Sequence, residues 1–121
     1  MLANVLDISA EILLDAVSAK IPQGFRFVTI TCCDHGAAFD LIYHFDKQYV
    51  LHHLRLALAK GTALPSISGV CPAAVFAENE IKDLFGITVT GLAVDYEGKF
   101  LLSDKAPKAP LATRGELKIE N

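Results

Sequence analysis

Three carboxylates, Glu78, Glu80 and Asp83, fall within one short stretch of the chain, and such a group suits either proton transfer or the recognition of cations. A carboxyl at the edge of an apolar core has a shifted proton affinity, which fits a general acid or base. Catalysis would also need a nucleophile, a phosphate loop or a cluster of metal ligands beside them, and the sequence sets none there. Two other readings stay open: a solvated acidic helix face, or a surface that docks on arginine or lysine of another protein. Only Lys82 stands nearby as a counter-charge, so the carboxylates are expected to draw donors from a partner.

The second candidate is Cys32-Cys33-Asp34-His35, with His52-His53 and Cys71, the only grouping suited to metal or thiol-redox chemistry. Adjacent strand residues point to opposite faces, so Cys32 and Cys33 do not readily grip one ion, and no C-x-x-C spacing exists. A nucleophilic thiol would need an electropositive setting and a partnering histidine, for which His35 is a thin basis. A stand-alone metal or thiol-redox protein using Cys32, Cys33 and His35 is therefore the minor alternative. His52 and His53 face opposite sides of their strand and His44 sits on the polar face of its own, so these histidines are not expected to pair.

The elements that must carry these residues read clearly. Pro72 suits the first turn of a helix. From there Ala74, Ala77, Ile81, Leu84 and Phe85 share one arc at about 100° per residue, with Glu80, Asp83 and Phe76 flanking it on one side and Glu78 on the other. Gly86 then offers positive φ as a helix stop, and the β-branched run Ile87-Thr88-Val89-Thr90 reads as a strand. Upstream, a helix is expected over about 9–20, from Ile12, Leu13, Ala16 and Val17. Three alternating runs follow. Val28, Ile30 and Cys32 oppose Phe27, Thr29 and Thr31; Phe39, Leu41, Tyr43 and Phe45 alternate with Asp40, Ile42, His44 and Asp46; and Val50, Leu54, Leu56 and Leu58 line a third run. Turns at Asp34-His35-Gly36 and Asp46-Lys47-Gln48 make these antiparallel hairpins. The expected fold is α+β, two layers, with helices packed on one face of a mainly antiparallel sheet over residues 1–102. Residues 103–121, broken by Pro107 and Pro110, read as an extended tail that wraps a partner, or as a plain disordered terminus.

With 121 residues and 52% hydrophobic composition, one domain with a real core is expected. A mean hydropathy of +0.38 is high for a chain with no membrane-length apolar run, and a large protein interface would hide the excess. A net charge of −3 and the lack of a basic patch argue against nucleic acid. The N-terminus lacks the marks of a signal peptide, and three cysteines form no disulfide framework, so a cytoplasmic protein with reduced thiols is expected.

The stretch Glu78-Asn79-Glu80-Ile81-Lys82-Asp83-Leu84-Phe85-Gly86-Ile87 resembles the signature of the 30 kDa subunit family of NADH:quinone oxidoreductase (respiratory complex I), roughly E-R-E-x-x-D-x-F-G-I, with Asn79 where the family usually has arginine. Pro65-Ser66-Ile67-Ser68, Pro72-Ala73-Ala74, Tyr43-His44 and Leu54-Arg55-Leu56 are similar to stretches preceding that signature, so the resemblance covers about residues 25–92. It implies the same fold. It also implies a subunit of the hydrophilic arm with no catalytic residue, cofactor or metal of its own, which docks on the large catalytic subunit and neighbours the iron–sulfur subunits. Such a protein would meet the membrane only through the complex, on its cytoplasmic side. The expected partner-binding residues are Glu78, Glu80, Asp83, Phe85 and Gly86. After Gly91 the family usually continues with His-Pro-Asp-Leu-Arg-Arg, whereas here Leu92-Ala93-Val94-Asp95-Tyr96-Glu97 follows. This short chain therefore looks most like the homologous subunit of membrane-bound energy-converting nickel–iron hydrogenases, with the respiratory NADH:quinone enzyme as the alternative.

Overall fold

In the computed structural model the described residues are 3–94 and 109–111. A four-stranded sheet runs in the order β1-β4-β3-β2, built from β1 (Val5–Asp7), β2 (Arg26–Asp34), β3 (Ala38–Lys47) and β4 (Val50–Ala59). The two hairpins are antiparallel as expected. The edge strand β1 is one that the sequence does not announce, and it joins β4 in parallel, Val5 opposite His53 and Asp7 opposite Arg55. Its three residues are too few to display a period and are all exposed, so no alternation marks them.

The expected first helix is a 3-10 turn at Ala10–Ile12 that continues into α1 (Leu13–Lys20). α1 buries Leu13 and Val17, and α2 (Ala74–Phe85) buries Ala74 and Ile81. These four meet the inward rows of the sheet: Ile30, Tyr43 and Leu54; Leu41 and Leu56; Phe39 and Leu58. The architecture is thus the α+β arrangement that the periodicity predicts.

Three local features depart from expectation. The register of β2 shifts between Phe27 and Thr29, a bulge that inserts one residue and exchanges faces beyond it. Phe27 therefore turns inward, edge-on to Phe45, and Val28, expected on the same face as Ile30, is 50% exposed while Ile30 is buried. The segment 61–69, to which the periodicity assigns no element, holds β5 (Leu64–Pro65), which pairs in parallel with β6 (Val89–Thr90), and it buries Ser66, Ile67 and Ser68. Finally, the second turn lies at Gln48 and Tyr49, both with positive φ, not over 46–48. Lys47 consequently faces Val50, and counting back along the hairpin sets His44 opposite His53.

Of the tail expected over 103–121, only 109–111 falls within the described residues. There the Leu111 N–H donates to the Leu84 carbonyl at 2.7 Å, and a Cβ placed on Gly86 would come within 2.9 Å of the Ala109 Cβ. Gly86 ends α2 in the left-handed conformation at φ 72°, as the sequence predicts.

Candidate functional site

The signature helix does not present its carboxylates as one group. Glu78 and Asp83 are buried, whereas Glu80 is exposed. The expected apolar arc is only part of the buried surface of α2, because Glu78 and Asn79 are fully enclosed as well. The segments 66–68 and 93–94 cover that second side.

Glu78 is held by donors of this same chain. The Ser66 hydroxyl donates to its Oε1 at 2.6 Å and the Ile67 N–H to its Oε2 at 2.7 Å. The Ser66 and Ser68 hydroxyls also share a hydrogen bond of 2.7 Å. Ser66 Oγ also accepts the Ser68 N–H, and Ser68 Oγ accepts the Ala93 N–H, each at 3.0 Å. A hydrogen-bonded network thus links the backbone after β6, the two serines and the carboxylate. Burial raises the Glu78 pKa above the ordinary carboxylate range while these donors oppose the rise. The expectation that Glu78 must draw its donors from a partner is corrected by this network.

Asn79, at the position where the family pattern has arginine, donates through Nδ2 to the Val75 and Val94 carbonyls at 2.9 and 2.8 Å. Together Asn79 and Glu78 fasten α2 to both flanking segments. Ser66, Ser68 and Asn79 are residues of the site that a search for chemistry in the sequence passes over. The available signal is Ser-x-Ser before a helix whose first buried polar residue is a glutamate, since a buried carboxylate demands hydroxyl or N–H donors.

Phe85 is half-buried and lies edge-on to Phe39, 5.9 Å between ring centres. Gly86 is exposed. In this fold they serve packing and helix termination.

Away from α2 the cysteines and histidines are distributed over the sheet. Cys32 is half-buried and faces inward beside Leu41, while Cys33 is exposed beside Asp40. Burial, and then Cys33, push the Cys32 thiol up to about 12, and burial raises buried Cys71 as well. Neither is set up as a thiolate at neutral pH. His35 lies 3.8 Å from Asp40, which Arg55 grips with two hydrogen bonds of 3.0 Å. The expectation that the histidines do not pair is overturned. His44 Nδ1 and His53 Nδ1 are 2.8 Å apart, and Thr31 Oγ1 shares a 3.0 Å hydrogen bond with His44 Nε2. Among the described residues no three histidine, cysteine or acidic side chains group as metal ligands.

The sequence pattern of the family described as the respiratory-chain NADH dehydrogenase, 30 Kd subunit, matches residues 6–118. The chain belongs to this family. The C subunit of the NADH-quinone oxidoreductase of Jannaschia sp. is 44% identical over 82 residues, covering 61% of this chain and 40% of that protein. Its counterpart in Ruegeria pomeroyi is 34% identical over 95 residues, 71% of this chain and 48% of that protein. The chain thus spans less than half the length of these relatives. A chain in the structure of the membrane-bound sulfane sulfur reductase, an archaeal respiratory membrane complex, superposes with a TM-score of 0.73 over 84% of this chain and 64% of that one, at 20% identity, and so shares the fold. Within the described residues, no helix of this 30 kDa-type subunit is long and apolar enough to traverse a membrane.

Proposed function

We propose that the chain is a non-catalytic subunit of the hydrophilic arm of a membrane-bound, complex I-like oxidoreductase, where it braces the large catalytic subunit beside the iron–sulfur subunits on the cytoplasmic side. The observation that carries this reading is the family match over residues 6–118. The geometry agrees with it, because the signature residues secure the protein's own shape: Glu78 and Asn79 lock α2 to its flanking segments. Glu80 in this reading meets a cation of the large subunit, which its exposure on α2 one turn beyond Phe76, itself 56% exposed, supports. In this reading Asp83, Phe85 and Gly86 present that face through helix position and helix end.

The names of the relatives favour an NADH-quinone oxidoreductase. An energy-converting nickel–iron hydrogenase is favoured by one departure: Leu92-Ala93-Val94-Asp95-Tyr96-Glu97 stands where the family usually carries His-Pro-Asp-Leu-Arg-Arg. Purifying a tagged full-length chain from its native cells under gentle detergent tests both. A large catalytic subunit and iron–sulfur subunits should co-elute, with either NADH-oxidising or nickel-containing partners deciding the class. Elution of the chain alone, while the remaining complex assembles without it, would overturn the proposal.

A further inference from the structure

Resting on the subunit reading above, we infer that the tip of the β3–β4 hairpin is a second docking surface, for an acidic segment of a neighbouring protein subunit that also supplies an apolar side chain. The tip lies at the other end of β3 from α2's last turn. Phe85 meets Phe39 near the start of β3, and the tip begins after Lys47, about 26 Å away along an extended strand.

Its apolar content is unusual in position. Tyr49 is 97% exposed, and Val50 and Leu51 beside it are half-exposed. Tyr49 and Gln48 both hold positive φ, at 66° and 52°, where two-residue hairpins ordinarily place asparagine and glycine. A bulky aromatic is thus held in a strained conformation at the exposed end of the hairpin. Tyrosine in such a setting supplies large contact area at low entropic cost.

Charge identifies the occupant. Lys20 and Lys47 lie 4.1 and 5.0 Å from the Phe25 ring, and Arg26 is bound to Asp46 at 2.6 Å. Arg26 and Asp46 offset each other, so the two lysines that share the Phe25 ring, one of them the last residue of β3, leave a local positive excess at the base of the tip in a chain whose net charge is −3. Burial and the neighbouring Lys47 lower the Lys20 pKa, so the two ammoniums are close enough to oppose each other. An incoming carboxylate relieves that opposition, and Tyr49 with Val50, which lies opposite Lys47, receives the apolar neighbour.

The test places a benzoylphenylalanine photocrosslinker at position 49 of the full chain in the assembled complex. The same reagent at position 76 reports the α2 face. The expected product at 49 joins a different protein subunit, at a peptide with an excess of aspartate and glutamate. Lys20→Glu with Lys47→Glu should lower retention of the chain about tenfold at physiological salt, less so in high salt. Tyr49→Ser, at a site too exposed to threaten folding, should also weaken retention. Crosslinking at 49 to lipid, to a second copy of this chain, to a peptide without acidic excess, or to nothing while position 76 reacts would overturn the inference and leave the subunit reading intact. Loss of co-purification for the unsubstituted chain would refute both.

Discussion

His44 Nδ1 and His53 Nδ1 face each other at 2.8 Å across β3 and β4, a contact that holds one proton between two nitrogens. If His44 donates, its Nε2 accepts from the Thr31 hydroxyl; if His53 donates, His44 Nε2–H is left to donate to Thr31. Two imidazolium rings cannot keep this geometry. Burial, and then His53, lower the His44 pKa below its ordinary 6.5. A base with a depressed folded pKa binds fewer protons folded than unfolded. Its contribution is therefore present above the unfolded pKa and is lost as pH falls below about 6.5. Urea unfolding of the full chain from pH 8 to pH 5 should show declining stability over that window, and His44→Thr with His53→Val should flatten it. An unchanged slope in the double variant would show that other groups set the pH response.

Glu78 should behave as a structural clamp. Glu78→Ala strands the Ser66 hydroxyl and the Ile67 N–H inside the protein and leaves a void, at a cost of roughly 2–5 kcal/mol. Glu78→Gln keeps the shape and should cost less. Because burial raises the folded pKa of Glu78, the wild-type carboxyl contributes most below its unfolded value of 4.5 and loses that contribution as pH rises. The glutamine variant should therefore gain relative to wild type between pH 4.5 and neutrality. Thermal melts at several pH values check this ordering, and an alanine variant as stable as wild type would remove the clamp.

How much of this is legible in the sequence depends on which interactions carry a period. Leu41, Tyr43, Phe45, Leu54, Leu56 and Leu58 announce their strands because apolar residues alternate there, and Gly86 announces a helix end because φ 72° suits glycine. The turn lies about two residues beyond its expected place, since Gln48 and Tyr49 are not the residues that ordinarily mark positive φ, and that offset conceals the His44–His53 register. β1 is silent because three exposed residues display no pattern. The bulge at Val28 inverts one face for the same kind of reason: a single inserted residue leaves no trace in composition. Glu78 is legible as important but not as buried, because its donors lie twelve and eleven residues upstream.

The thiols should label in order of exposure. Cys33 is exposed, Cys32 half-buried with its thiol pushed up to about 12, and Cys71 buried. Iodoacetamide at pH 8 should therefore modify Cys33 first, with Cys32 and Cys71 reacting only on unfolding. Mass spectrometry of partial digests reads this directly, and fast labelling at Cys32 would revive a redox role.

Gly86→Ala should cost about 1–2 kcal/mol, since the left-handed conformation disfavours a side chain and the new Cβ would sit 2.9 Å from the Ala109 Cβ. Gly69→Ala, where no atom lies within 4 Å and φ is not left-handed, is the matched control. Equal melting temperatures for the two variants would show that the contact between α2's end and residues 109–111 carries no stability.

The proposed role is docking, with no chemistry of the chain's own. Its most direct test is reconstitution: the native complex is prepared from cells lacking the chain, and purified full-length chain is titrated onto it while electron transfer is followed. The account predicts that activity returns and saturates at one chain per complex, with purified chain inactive alone, and that Glu80→Lys shifts the titration to higher concentration. Full activity of the complex without the chain, or turnover by the isolated chain, would contradict it.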